Sequence, residues 1–112
     1  MSRRRIVLSG VGPKLEGLSW EADDVLRVGR QDTLDVVLQD PSVSRRHAEI
    51  LPTGDGWFLS DLGSSNGTYL NGEPVAKSER PLQPDDVIQV GELSLRVVAV
   101  DAETGEAPVP EE

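Results

Sequence analysis

Apolar residues along this chain fall in short runs separated by polar, glycine-rich segments. The runs include Val25-Leu26-Arg27-Val28, Ala48-Glu49-Ile50-Leu51, Trp57-Phe58-Leu59, Thr68-Tyr69-Leu70 and Leu93-Ser94-Leu95-Arg96-Val97-Val98. No window of about eleven residues carries an apolar stripe at i, i+3, i+4 and i+7 free of Gly or Pro, so no helix is expected. The runs predict strands at about residues 5–9, 15–20, 25–28, 36–38, 47–51, 57–61, 68–70, 73–75, 87–90 and 93–100. Eleven glycines and eight prolines punctuate them. Thr53-Gly54-Asp55-Gly56 and Val90-Gly91-Glu92-Leu93 read as hairpin turns. Many short strands with closely spaced turn signals predict an all-β, two-sheet β-sandwich of about ten to eleven strands rather than a small barrel.

Alternation assigns faces. Leu93, Leu95 and Val97 share one side of the last strand and are expected in the core. Trp57, Phe58 and Leu59 are consecutive, so at least one of the aromatic pair must face outwards or lie at an edge. Pro84-Asp85-Asp86 reads as the turn into Val87-Ile88. A chain of 112 residues is long enough for one domain with its own core. That domain is expected over residues 1–100. Residues 101–112, rich in Pro, Glu and Ala, lack periodicity and read as an acidic disordered tail or linker.

Charge narrows the function. The formal net charge is −9, with −5 from Asp101, Glu103, Glu106, Glu111 and Glu112 and −4 from residues 1–100. So acidic a chain is a poor nucleic-acid binder, which needs a basic face. With no cysteine and one histidine, neither a disulfide framework nor a metal site is expected, and no cofactor motif is present. Met1-Ser2-Arg3-Arg4-Arg5 is a charged lead-in to the first strand. The apolar stretch Ile6-Val7-Leu8 that follows is too short for a secretory or membrane-spanning segment. No membrane association and a cytoplasmic location are therefore expected.

The candidate chemistry lies between strands. Gly29-Arg30, Ser44-Arg45-Arg46-His47, Ser64-Ser65-Asn66-Gly67-Thr68 and Asn71-Gly72 follow one another in order. They offer guanidinium groups, hydroxyls, an amide and glycine-flanked N–H groups, a donor set suited to a small dianion such as phosphate. Arg30, at a strand end, can give a phosphate two parallel N–H bonds, or can pair with Asp32 or Asp35. Ser44, after the Asp40-Pro41 turn, can reach a ligand or cap its own loop. Arg46 is expected to point away from Arg45 into solvent. Asn66-Gly67 is also a strong turn signal, and Gly67 permits positive φ.

These four signatures resemble those of the forkhead-associated (FHA) family, phosphothreonine-peptide binding modules, and the resemblance spans about residues 6–100. It implies a sandwich with its binding loops gathered at one end. It assigns Arg30, Ser44, Arg45, Ser65 and Asn66 to the phosphopeptide. Arg30 and the Ser44 hydroxyl would hold the phosphate, with Arg45 beside it. The Ser65 hydroxyl or N–H would complete the cradle, and Asn66 would bond the ligand main chain. Gly29, His47, Gly67, Thr68 and Asn71 would support the loops. The implied partner is a phosphothreonine-containing protein that is a substrate of a Ser/Thr kinase or is itself one.

Competing chemistries lack parts. Ser44 and His47, three apart on an extended segment, project to opposite faces, whereas a nucleophile and its base must lie within about 3 Å of each other. No phosphate-binding Gly-x-x-x-x-Gly-Lys loop occurs, and no helix is expected after any Gly-rich loop. Asn66-Gly67-Thr68 is a formal glycosylation sequon, discounted without a signal peptide. The chain is therefore read as a binding protein and not an enzyme. The rival is a phosphate-independent interaction module of the same fold.

Overall fold

The structure, a computed structural model, describes residues 5–54, 56–75 and 78–101, with Asp101 described by its backbone alone. Eleven strands run β1 (Arg5–Val11), β2 (Ser19–Ala22), β3 (Leu26–Gly29), β4 (Val36–Val37), β5 (Ala48–Thr53), β6 (Gly56–Asp61), β7 (Thr68–Leu70), β8 (Glu73–Pro74), β9 (Arg80–Pro81), β10 (Val87–Val90) and β11 (Leu93–Asp101). One sheet has the order β2-β1-β11-β10-β7-β8 and the other β4-β3-β5-β6-β9. Pairing is antiparallel except between β3 and β4. This is the expected two-sheet, all-β architecture.

The core fills the space between the sheets. Ile6, Leu8, Ile88, Val90, Leu95 and Val97 enter it from one sheet, and Val28, Ile50, Trp57 and Leu59 from the other. Each such large apolar side chain contributes about 1.5–3 kcal/mol relative to exposure. Leu93, Leu95 and Val97 are buried as their alternation predicts. Trp57 and Leu59 face inwards while Phe58 is only half-buried, which resolves the three-residue run. Both anticipated hairpins form, with Thr53 opposite Gly56 and Val90 opposite Leu93.

Three expectations need correction. Residues 13–17 are turn rather than strand, and β2 begins only at Ser19. Gly12 and Gly17 adopt φ of 92° and 86°, and Leu15 and Leu18 donate N–H bonds to Gly12 and Leu15 carbonyls, so the chain folds back on itself there. Leu15 is buried by this turn and not by a strand. β9, short and containing Pro81, was not anticipated; proline weakens a strand signal and is tolerated at a sheet edge, where β9 lies. Asp101 was assigned to the tail but pairs with Arg5 as the last residue of β11. The rest of the expected tail and the lead-in before Arg5 lie outside the described residues. Other strand limits differ by one or two residues from expectation, the usual fraying of element ends.

Candidate functional site

The end of β3 is stitched to residues 44–47. Arg30 N–H donates to the Ser44 carbonyl at 3.0 Å, Gln31 N–H to the Arg45 carbonyl at 3.3 Å, and His47 N–H to the Val28 carbonyl at 2.8 Å. So close an approach requires Gly29, because a Cβ there would overlap the Arg45 carbonyl oxygen. The Arg30 guanidinium is itself anchored, its Nε donating to the Val43 carbonyl at 2.9 Å. Its terminal nitrogens keep their donors for something else. Neither Asp32 nor Asp35 pairs with it; Asp35 instead accepts the Arg27 N–H.

The second loop, residues 62–67, is organised by Asp61 at the end of β6. Its Oδ2 accepts N–H bonds from Gly63 (2.9 Å) and Ser64 (3.1 Å). Its Oδ1 accepts the hydroxyls of Ser64 and Thr68, both at 2.6 Å. Ser64 Oγ in turn accepts the Gly67 N–H at 3.0 Å. Partial burial opposes ionisation of Asp61, but the bonds from Ser64, Thr68 and Gly63 outweigh it and hold the pKa below the usual carboxylate value. Sequence reading missed Asp61 and Ser64. An Asp followed at close range by Gly and Ser is an Asx-turn pattern that could have revealed them.

The loops are joined by the Leu62 N–H donating to the His47 carbonyl at 2.9 Å and by three side-chain bonds. Ser44 Oγ accepts the Ser65 N–H at 3.0 Å. His47, fully buried, uses both ring nitrogens on backbone: Nδ1 accepts the Ser44 N–H at 3.0 Å, and Nε2 lies 2.8 Å from the Gly67 carbonyl. An N–H on one side and a carbonyl on the other fix the neutral tautomer with the proton on Nε2. Asn66 Nδ2 donates to the Ser42 carbonyl at 2.8 Å, which turns its Oδ1 away from that carbonyl. Arg30, just after β3, is thus brought together with Ser44, Arg45, Ser65 and Asn66 of the two joined loops.

Ser42 is held in turn by Asp40. The Asp40 Oδ1 accepts the Ser42 hydroxyl (2.7 Å) and N–H (2.9 Å), and Lys14 Nζ lies 3.0 Å from Oδ2. The two Ser42 bonds, followed by Lys14, lower the Asp40 pKa to about 2. Glu92 N–H also donates to Ser42 Oγ at 2.8 Å, tying this loop to the β10–β11 hairpin. Asn71 stands apart from the other sequence-predicted residues. At φ 52° it lies at the far end of β7 from Gly67, where its amide bonds Asp86 and the Val87 N–H and shapes the β7–β8 turn.

Charge is distributed unevenly over the described residues. Arg5, Lys14, Arg27, Arg80 and Arg96 each lie against a carboxylate, on Glu21, Asp40, Glu49, Glu73 and Asp85 respectively. Arg30, Arg45 and Arg46 have no carboxylate partner among the described residues, and all are exposed. Arg30 and Arg45 line an open recess of about 600 Å³ with Gln31, Asp32, Gln39, Asp40 and Pro41. In a chain of net charge −9, the uncompensated cations among the described residues sit at or beside the joined loops.

Comparison with known proteins gives concordant matches. A family model described as the FHA domain matches residues 26–91. The oxoglutarate dehydrogenase inhibitor of Corynebacterium jeikeium is 46% identical over 67 residues, covering 60% of this chain and 45% of that protein. The chain spans about half the length of the curated relatives it matches. Among solved structures, an FHA domain studied for phosphothreonine-dependent interactions superposes with a TM-score of 0.75 at 33% identity, over 84% of this chain and 95% of that one. Mycobacterium tuberculosis EmbR in complex with a low-affinity phosphopeptide gives 0.75 at 26% identity, over 91% of this chain and 25% of that one.

Proposed function

The chain belongs to the FHA domain family, and from that membership we propose that it binds phosphothreonine-containing segments of partner proteins. The observation that carries this reading is the pair of uncompensated arginines, Arg30 and Arg45, beside a serine hydroxyl on a pinned loop. Arg30, anchored through Nε, presents its terminal nitrogens to two phosphate oxygens. Ser44 Oγ accepts from Ser65, which leaves its hydroxyl proton for a third oxygen. Arg45 adds charge from the recess wall. The Ser65 N–H is already engaged, so Ser65 contributes its hydroxyl. Asn66, held through Nδ2, offers Oδ1 to a main-chain N–H of the ligand.

Gly29, His47, Gly67 and Thr68 support this constellation by fixing the two loops, and Asn71 supports the neighbouring turn. The reading is one of binding without turnover. His47 is the sole histidine, and both its nitrogens are committed to backbone groups, so it offers no base to Ser44. The partner is a protein carrying phosphothreonine, a substrate of a Ser/Thr kinase or a kinase itself, met in the cytoplasm where protein phosphorylation supplies such ligands. Support comes from the phosphothreonine-dependent FHA domain and the phosphopeptide complex it resembles.

Titration with one peptide carrying threonine, phosphothreonine or glutamate at a single position tests it. Binding is expected for phosphothreonine and lost for threonine. Glutamate should bind poorly, since a carboxylate offers one charge and two coplanar oxygens where a phosphate has about −1.5 to −2 and three. Equal affinity for the threonine and phosphothreonine peptides would establish the phosphate-independent module instead.

A further inference from the structure

We propose that Arg46 is a specificity-determining residue that selects phosphothreonine ligands carrying an acidic side chain close to the phosphorylated position. The inference rests on the reading above and extends it from the phosphate to the surrounding ligand sequence. Arg46 is exposed and, among the described residues, makes no ion pair or hydrogen bond. Its natural local partner is taken. Glu49 is the nearest carboxylate in sequence, and it is engaged by Arg27 at 3.5 Å across the β3–β5 register. The other described cations outside the loops are each neutralised by a carboxylate, so an unsatisfied arginine here departs from the pattern of the rest of the surface.

The backbone that carries Arg46 is not free to drift. The residues before it are bonded to Arg30 and Gln31, and the residue after it is buried and bonded to Val28, Ser44 and Gly67. Two consecutive Cα–Cα steps put Arg46 within about 8 Å of Ser44 along the chain. Arg46 does not line the recess that Arg30 and Arg45 share. Arg46 is therefore an unpaired cation on a rigid base, next to Arg45 in the chain and outside the recess. A phosphate of about −2 is balanced by Arg30 and Arg45. The charge left on Arg46 is matched by a ligand aspartate or glutamate, and an extended ligand crossing the loops carries such a group past it.

The test uses two phosphothreonine peptides of one sequence, with glutamates or glutamines at the positions flanking the phosphothreonine, and their unphosphorylated forms. Wild type should favour the glutamate peptide by up to about fivefold, the upper end for an exposed ion pair, and rising salt should erase the preference. Arg46→Gln should keep wild-type affinity for the glutamine peptide, keep its melting temperature and lose the preference; Arg46→Lys should retain part of it. Phosphate-dependent binding with no glutamate preference in wild type, or a preference that survives Arg46→Gln, overturns the role of Arg46 and leaves the phosphate site standing. Absence of any phosphate dependence overturns both together.

Discussion

The Ser44 hydroxyl oxygen accepts the backbone N–H of Ser65 at 3.0 Å, across a separation of 21 residues. One side chain proposed to touch the phosphate is thereby also a strut between the two loops. The bond orients the serine, since with its oxygen accepting, the hydroxyl proton is directed elsewhere. Ser44→Ala should therefore weaken phosphopeptide binding by about 10- to 100-fold, the loss of one hydrogen bond to a charged group. Stability should fall by only about 1 kcal/mol, because the exposed Ser65 N–H can bond water instead. Calorimetric titration alongside thermal melts separates the two effects, and unchanged affinity would remove Ser44 from the phosphate site.

Arg30→Ala and Asn66→Ala should each reduce affinity by about 30- to 1000-fold, or about 2–4 kcal/mol. Both side chains are exposed, and among the described residues each makes one side-chain hydrogen bond, to the Val43 and Ser42 carbonyls respectively. Their melting temperatures should stay close to wild type. Polarisation assays with a labelled phosphopeptide read the affinity. Arg30→Ala binding as tightly as wild type would sink its assignment to the phosphate.

His47→Ala should act on stability first. The ring is fully buried and satisfies the Ser44 N–H and the Gly67 carbonyl, which lie on different loops. Truncation leaves a cavity and two polar groups that have lost their partner, a cost of about 2–4 kcal/mol. A domain of about this size should melt roughly 10 °C or more lower. Phosphopeptide binding measured well below the melt should also weaken, since both loops lose their common anchor. A variant with wild-type stability and binding would show that the loops hold without the imidazole.

Acid should loosen the loops. Asp40 is lowered from its ordinary 3.8 to about 2 by the Ser42 bonds and Lys14, and Asp61 is lowered despite its partial burial. A depressed native pKa means the unfolded chain takes up protons first. The stabilisation is therefore fully present above about pH 4 and is lost as pH falls from there towards 2. Thermal melts between pH 6 and pH 2 should record that decline. Asp40→Asn should melt lower than wild type at neutral pH and show a shallower fall below pH 4. An identical pH profile for the variant would show that Asp40 does not contribute.

Much of the sandwich was legible because its signals are local. Alternation placed Leu93, Leu95 and Val97 on the core face, and Gly-rich turns located the hairpins at 53–56 and 90–93. The same reasoning failed at Leu15, whose apolar side chain resembles a strand residue but is buried by a turn closed between Gly12 and Leu18. It failed at β9, where two residues including a proline join the edge of a sheet only because β6 is there to receive them. Local pattern carries no information about such a partner.

The site divides in the same way. The sequence alone determined the inventory: which arginines, hydroxyls and amides stand at loop positions, and in what order. Only the tertiary structure decided which of them remain available. Glu49 neutralises Arg27 and so leaves Arg46 without a partner among the described residues, while Asp40 takes Lys14 and two bonds from Ser42. Asp61 disappears into a network that no binding motif announces, and Asn71 is carried to the opposite end of β7. The physical reason is that a strand's face follows from a side-chain period of two, whereas an ion pair or a shared hydrogen bond depends on register between strands distant in sequence. Ser44 and Ser65 become neighbours only when both sheets have closed over one core.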